Sequence, residues 1–202
     1  MVSEDDLVEV LRVPELTPGA RRILDVAGEL FYRRGIHAVG VDTIAAESGI
    51  TKRTLYDRFG SKENLVAAYL QARHRRWWDC MTQRLVEEPS SPVLALFDSY
   101  FKDAESTSRG CAFINAAAEL SADHPGFRVV QAHKHAVRQQ VRALIRESHP
   151  ANAEELADHV FLLLEGAISH QGIEGNDSLF ARARGAIARL LQDSGSEICP
   201  SV

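Results

Sequence analysis

Apolar residues recur at three- and four-residue spacing along almost the whole chain, and no stretch alternates convincingly at a period of two. That periodicity predicts an all-α protein of about nine helices. Thr17-Pro18 supplies an N-cap followed by a first-turn proline, and Ile23, Val26, Ala27, Leu30 and Phe31 then share one face until Gly35. A short helix over 41–48 turns Val41, Ile44 and Ala45 inward. Gly49 breaks it, and a second short helix over 51–59 buries Leu55 and Phe59. Ser61 caps a long helix reaching about Val86, with Glu63 near its positive N-terminal end. After the Glu87–Pro92 loop, five more helices are expected, over about 92–105, 109–121, 125–148, 153–171 and 177–192. Asn152 is a plausible cap, and Gly172 and Gly175 are expected to separate the last two helices.

The longest apolar stretch, around Phe161–Leu164, is far shorter than the roughly 20 residues a membrane-spanning helix needs. Acids occupy the N-terminus where a secretory leader would carry bases, so a cytoplasmic protein without membrane partners is expected. Cys80, Cys111 and Cys199 are far apart, with neither a CxxC pair nor a zinc spacing, which suits free thiols. No cofactor or metal is expected; His133-Lys134-His135 is not a metal motif, because residues two apart point away from one another on a helix. The net charge of −5 conceals an asymmetry. Pro18–Trp78 holds 11 Lys/Arg against 6 Asp/Glu, leaving 12 against 22 elsewhere. A basic N-terminal third on an acidic body points to one end meeting a polyanion.

The stretch VDTIAAESGITKRTLYDRFGSKENL, Val41 to Leu65, carries the function. Two short helices joined at glycine, with small Ala45 and Ala46 before the turn, form a helix-turn-helix. Its second helix can lie in a major groove while the first braces it over the backbone. Thr51, Lys52, Arg53, Thr54 and Tyr56 are donors suited to base edges and phosphate oxygens, and Lys62 begins a helix whose backbone N–H groups also favour phosphate.

The segment resembles the DNA-binding domain of the TetR family of bacterial repressors, which couples a TLYxxF-type recognition helix to an SKExL-type helix start. Here these are Thr54-Leu55-Tyr56-Asp57-Arg58-Phe59 and Ser61-Lys62-Glu63-Asn64-Leu65. Ala27–Gly35 and Val41–Ala45 also fall where the family pattern has them, and the match covers about Arg21–Leu65. The resemblance implies a three-helix DNA-binding domain and a larger helical domain for effector binding and dimerisation. It also implies DNA contacts by Thr43, Ile50, Thr51, Lys52, Arg53, Thr54, Tyr56, Arg58 and Lys62; the family often has histidine where this chain has Arg58. The expected division is a disordered arm over 1–16, a DNA-binding domain over 17–63, an effector and dimer domain over 64–193, and a flexible tail over 194–202.

Arg109–Leu120 resembles a stretch found in many TetR-type effector domains. An effector pocket needs apolar lining and a few inward polar groups. Phe97, Tyr100, Phe101, Phe113 and Phe161 can supply the lining, with Cys111 beside them. Asn115, His133 and Glu165 are the polar candidates, His133 being helically in phase with Val130 and Val137. A small, largely apolar organic effector is expected to lower the affinity of a repressor for double-stranded, palindromic operator DNA. Two other functional classes fit the residues less well. A thiol-dependent transferase using Cys111 lacks a visible activator in the sequence. An architectural DNA binder does not account for so large an acidic domain. A two-fold homodimer is expected through the final two helices. There Leu156, Val160, Leu163, Leu164 and Ala167 form one stripe, extended by Phe161 and Ile168. Leu179, Phe180, Ala183, Ile187, Leu190 and Leu191 form the other.

Overall fold

A computed structural model describes the backbone of residues 4–105 and 109–196, and the side chains of residues 6–100 and 109–194. Ten helices and no strand occur among the described residues. They are α1 (Glu4–Leu11), α2 (Pro18–Arg34), α3 (Val41–Ser48), α4 (Lys52–Phe59), α5 (Lys62–Glu87), α6 (Pro92–Glu105), α7 (Ala112–Glu119), α8 (Pro125–Ser148), α9 (Ala153–Glu174) and α10 (Ser178–Ser196). The chain divides into two units: residues 1–76 with 112–133, and residues 77–111 with 134–202. The division therefore falls inside α5 and α8, so that α5, at whose start the expected bound of 63/64 lies, belongs to both units. Nothing in 62–87 breaks the helix, so no local signal marks the change of unit.

In the first unit, Thr17 caps α2 by accepting from the Ala20 N–H at 3.4 Å, with Pro18 in the first turn. Ile23, Ala27, Leu30 and Phe31 are buried. Ile23, Leu30 and Phe31 each contribute about 1.5–3 kcal/mol when fully buried. Phe31 meets Tyr69 of α5 at 5.8 Å between ring centroids. Gly28 permits that approach, since a Cβ there would sit 3.0 Å from Tyr69 Cδ2. From α7 to α8, Gly126 is similarly confined, its Cβ position lying 3.1 Å from both Val66 and Leu120.

The arm expected to be disordered over 1–16 instead contains α1, and the Gln71 side-chain amide donates to the Val10 carbonyl at 2.8 Å. Leu7, Val10 and Leu11 have helical spacing directly behind the acids of 4–6.

In the second unit, Met81, Leu96, Phe97, Val137, Val141, Ile145, Val160, Leu164 and Ile187 form the core. Phe97 packs on Phe180 at 4.2 Å between centroids. The helix expected from Arg109 begins only at Ala112, because Gly110 takes φ +66° at a close backbone crossing. Cβ atoms built there would lie 2.9 Å from the Ile168 carbonyl for Gly110 and 2.7 Å from Gly110 N for Gly172. Gly172 thus serves the crossing and does not end α9; Gly175, with φ +67°, does. Asn152 precedes α9 without a side-chain cap bond. Part of the expected tail, 194–196, is helical, and 197–202 lie outside the described residues.

The apolar stripes assigned to a dimer interface are largely internal. Leu156, Val160, Leu164, Ala167, Ile168, Phe180, Ala183 and Ile187 are all buried within one chain. Leu163, Leu190, Leu191 and Phe161 are half-buried. What one copy leaves open is Leu162 at 66% exposure, Ile173 at 77% and Leu179 at 36%. Helical spacing places Leu162, Gly166 and Ile173 on one outward line of α9, and Leu179, Ala186 and Leu190 on one of α10.

Candidate nucleic-acid interface

Gly49, at φ +68°, ends α3 in the left-handed conformation and turns the chain into α4. Ser48 is buried beside it, accepting from the Ile50 N–H at 3.3 Å and donating to the Ala45 carbonyl. Thr51 caps α4, its hydroxyl accepting from the Thr54 N–H at 3.2 Å and lying 3.0 Å from the Thr54 hydroxyl. Gly60 closes α4 by donating to the Tyr56 carbonyl. The helix thus sits on Ile44, Leu55 and Phe59, all buried.

Its other face is open. Lys52, Arg53, Tyr56 and Arg58 are exposed, while Thr54, Thr43 and Ile50 are half-buried at its margin. Lys52 pairs with Asp42 of α3, and Arg53 lies 3.9 Å from Asp57 one turn on. Lys62, expected to meet phosphate, donates from its ammonium to the Ile36 carbonyl at 2.8 Å. Ser61 caps α5 by accepting from the Asn64 N–H. The backbone N–H of Glu63 and the Ser61 hydroxyl hold the Glu63 carboxyl below the usual range. The nearby His124 is lowered by burial, against the opposing pull of Glu63 and Asp123. Its Nδ1 accepts from the Gly126 N–H at 2.9 Å, a bond that requires the unprotonated nitrogen.

The residues assigned to an effector pocket separate into the two units. In the first, His133 is buried as its phase implied, stacked on Phe113 at 3.6 Å between centroids with 9° between planes. Its Nδ1 lies 3.0 Å from that of His74, a partner the sequence reading did not single out. Asn115 is half-buried on α7.

In the second unit, Tyr100 is buried and its ring meets Trp77 at 4.7 Å. Cys111 and Glu165 converge on Lys134. Its ammonium donates to Cys111 Sγ at 3.5 Å, pairs with Glu165 at 2.6 Å and lies 5.8 Å from the Tyr100 ring centroid. Burial pushes the Lys134 pKa down, but Cys111 and Glu165 outweigh it and hold the ammonium above the ordinary lysine range. Lys134 was missed, though it is in phase with Val130, Val137 and Val141. Phe97 is sealed in the core, Phe161 is half-buried, and the Phe101 side chain lies outside the described residues.

No helix among the described residues is long and apolar enough to cross a membrane. Residues 23–69 match the family of bacterial regulatory proteins of the tetR type, and residues 91–187 match the tetracyclin repressor-like C-terminal domain. The fold is similar to that of a TetR-family transcriptional regulator from Streptomyces coelicolor, with a TM-score of 0.82 and 30% identity, over 88% of this chain and 96% of that one. A transcriptional regulator from Saccharomonospora viridis, solved in complex with choline, shares the fold at a TM-score of 0.66 and 20% identity, covering 85% of this chain and 94% of that one. The transcriptional activator FasR of Mycolicibacterium smegmatis is 47% identical over 53 residues, 26% of this chain and 24% of FasR. The matched stretch therefore spans about a quarter of that curated relative. These relatives are regulators and not enzymes, which removes the thiol-transferase reading. A capped, basic reading helix on a helix-turn-helix, joined to a tetracyclin repressor-like C-terminal domain, makes this chain a member of the TetR family of DNA-binding transcriptional regulators.

Proposed function

We propose that the protein is a ligand-responsive repressor that binds a palindromic operator as a homodimer and is released by a small organic effector. The observation that carries the reading is α4 itself. Its apolar face is buried through Leu55 and Phe59, and both its ends are capped. Lys52, Arg53, Tyr56 and Arg58 are exposed together on the other side. Arg53 and Tyr56 are the base-edge candidates, with Thr43, Ile50, Thr51, Lys52, Thr54 and Arg58 around them. Two copies related by a two-fold axis would place two such helices in successive major grooves, about 34–36 Å apart. The likeness to FasR covers 53 residues, about a quarter of each chain, so it does not carry the sign of regulation.

The effector is proposed to meet the second unit around Tyr100, Cys111 and Glu165. Lys134 gathers these groups beside apolar side chains, which favours an apolar molecule with one polar or charged group. The protein would act in the bacterial cytoplasm, where its operator is.

Selection of duplexes from a random pool is the direct test. The expected product is a near-palindromic site. Arg53→Ala should cost about 1–3 kcal/mol there and relax the preference at one position per half-site. Enrichment of no defined site, or an Arg53→Ala protein with unchanged affinity and preference, would overturn the assignment.

A further inference from the structure

The turn between α2 and α3 is held from two sides by groups that never reach α4. Gly35 ends α2 at φ +91°, its N–H donating to Phe31. The next carbonyl, of Ile36, accepts from the Lys62 ammonium at the start of α5. The N–H after that, of His37, donates to the carboxylate of Glu119 at 2.9 Å, and the His37 ring Nε2 meets the Glu119 carbonyl. Glu119 is the last residue of α7, and its carboxylate also crowds the space where a Cβ on Gly35 would stand, at 3.2 Å. Backbone groups of two successive residues are therefore fixed by an ammonium on α5 and a carboxylate on α7. The chain after them runs through only Ala38, Val39 and Gly40 before α3 begins, with Val39 buried.

We propose that Glu119 and Lys62 are positioning residues for DNA reading: together they fix the 35–37 turn and so set the placement of α3 and α4 against α5 and α7. A helix-turn-helix reads bases only if its second helix lies at the correct depth and angle. The α2–α3 turn is the short tether that sets where α3 starts. Glu119 lies on a segment, 112–133, that belongs to the DNA-binding unit, although the chain on both sides of it belongs to the other unit. A displacement of α7 is thus transmitted to the turn through a charged hydrogen bond and needs no contact between α7 and DNA. The inference rests on the DNA-reading role of α4, and its test separates the two.

The experiment measures binding of full-length protein to the duplex selected by the unsubstituted chain, across a salt series. Glu119→Ala should weaken binding about tenfold, the size expected from losing a hydrogen bond to a charged group, with an unchanged salt slope because no phosphate contact is lost. Glu119→Gln retains an acceptor oxygen for the His37 N–H and should restore most of the affinity. Lys62→Gln retains a donor for Ile36 but no charge. As a positioning residue it should leave the salt slope unchanged; as a phosphate contact it would lower the slope by about one unit. Thermal melting of each variant accompanies the titrations. The proposal is overturned if Glu119→Ala binds like the parent, if Glu119→Gln fails to recover binding, if the Glu119→Ala loss only tracks a fall in melting temperature, or if Lys62→Gln lowers the slope. Failure of these variants while Arg53→Ala still loses binding would sink the clamp alone; an indifferent Arg53→Ala would sink the reading helix.

Discussion

If two copies join through the outward line of α9, that surface is separable by mutation from the core that holds each copy together. Leu162 and Ile173 are 66% and 77% exposed in one chain, on the same outward line of α9. Fully burying a leucine or isoleucine contributes about 1.5–3 kcal/mol, so two-thirds to three-quarters of that, roughly 1–2 kcal/mol, remains available at each position. A two-fold interface uses each residue twice, giving on the order of 4–8 kcal/mol from four side chains. Leu162→Arg with Ile173→Arg removes that contribution and sets like charges across the axis. Dimer dissociation should therefore strengthen by about a thousandfold or more. Ile187 behaves oppositely: it is 0% exposed within one chain, so Ile187→Asp strands a charge in the core and should unfold the second unit. Sedimentation equilibrium at micromolar concentration, with helical circular dichroism alongside, tells them apart. The α9 double variant should be a folded monomer with lost operator affinity, and Ile187→Asp should lose helical signal or melt far lower. A double variant that remains dimeric would refute this choice of face.

Two further outcomes follow from single sites. His124 has a lowered pKa because it is partly buried, so the unfolded chain binds its proton more readily than the folded one. Stability should accordingly rise with pH up to about the unfolded value near 6.5 and be lost as pH falls below it; a His124→Asn chain should melt with a visibly flatter dependence between pH 5 and 7, and an identical dependence would exclude His124 as the source. Gly172→Ala places a methyl 2.7 Å from Gly110 N, where only backbone can yield, and should destabilise the second unit by about 1–3 kcal/mol in chemical denaturation, whereas a neutral result would mean the crossing is looser than its geometry.

The first unit was legible largely because its punctuation is local. Thr17-Pro18, Gly35, Gly49, Thr51 and Ser61 each set a boundary through their own backbone or side chain, and the structure keeps those boundaries. What was illegible depends on partners distant in sequence. Lys134 carries the charge of a surface residue, and only the approach of Cys111 and Glu165 explains its half-buried place. His133 was correctly placed inward by phase, but phase does not name its neighbours, and His74 is 59 residues away. The stripes of α9 and α10 were misassigned for a related reason. Periodicity shows that a face is apolar, not whether its cover comes from the same chain. Here α6 and α8 share that cover, with Arg184 gripping Asp98 of α6 at 2.8 Å and Arg138 gripping Asp158 of α9.

The acids within the helix-turn-helix clarify how a protein of net charge −5 can read DNA selectively. Lys52 pairs with Asp42, Arg53 lies near Asp57, and Arg34 pairs with Glu47 at 3.2 Å. All three pairs are solvent-exposed, so each is worth only about 0–1 kcal/mol and is readily exchanged for a phosphate or a base edge. The exchange nevertheless subtracts from every encounter, specific or not. On a non-cognate duplex it offsets part of the gain from loose phosphate contacts. On a cognate site the added base contacts, about 1–3 kcal/mol for each good bidentate pair, exceed it. The acidic balance outside Pro18–Trp78, 12 bases against 22 acids, works in the same direction by repelling DNA from the remaining surface. Thr51 and Thr54 lie 3.0 Å apart at the head of α4 before any DNA arrives, which reduces the ordering that binding must impose. On the proposed reading, affinity is concentrated on one short helix, and its base contacts discriminate because the rest of the molecule attracts a polyanion so weakly.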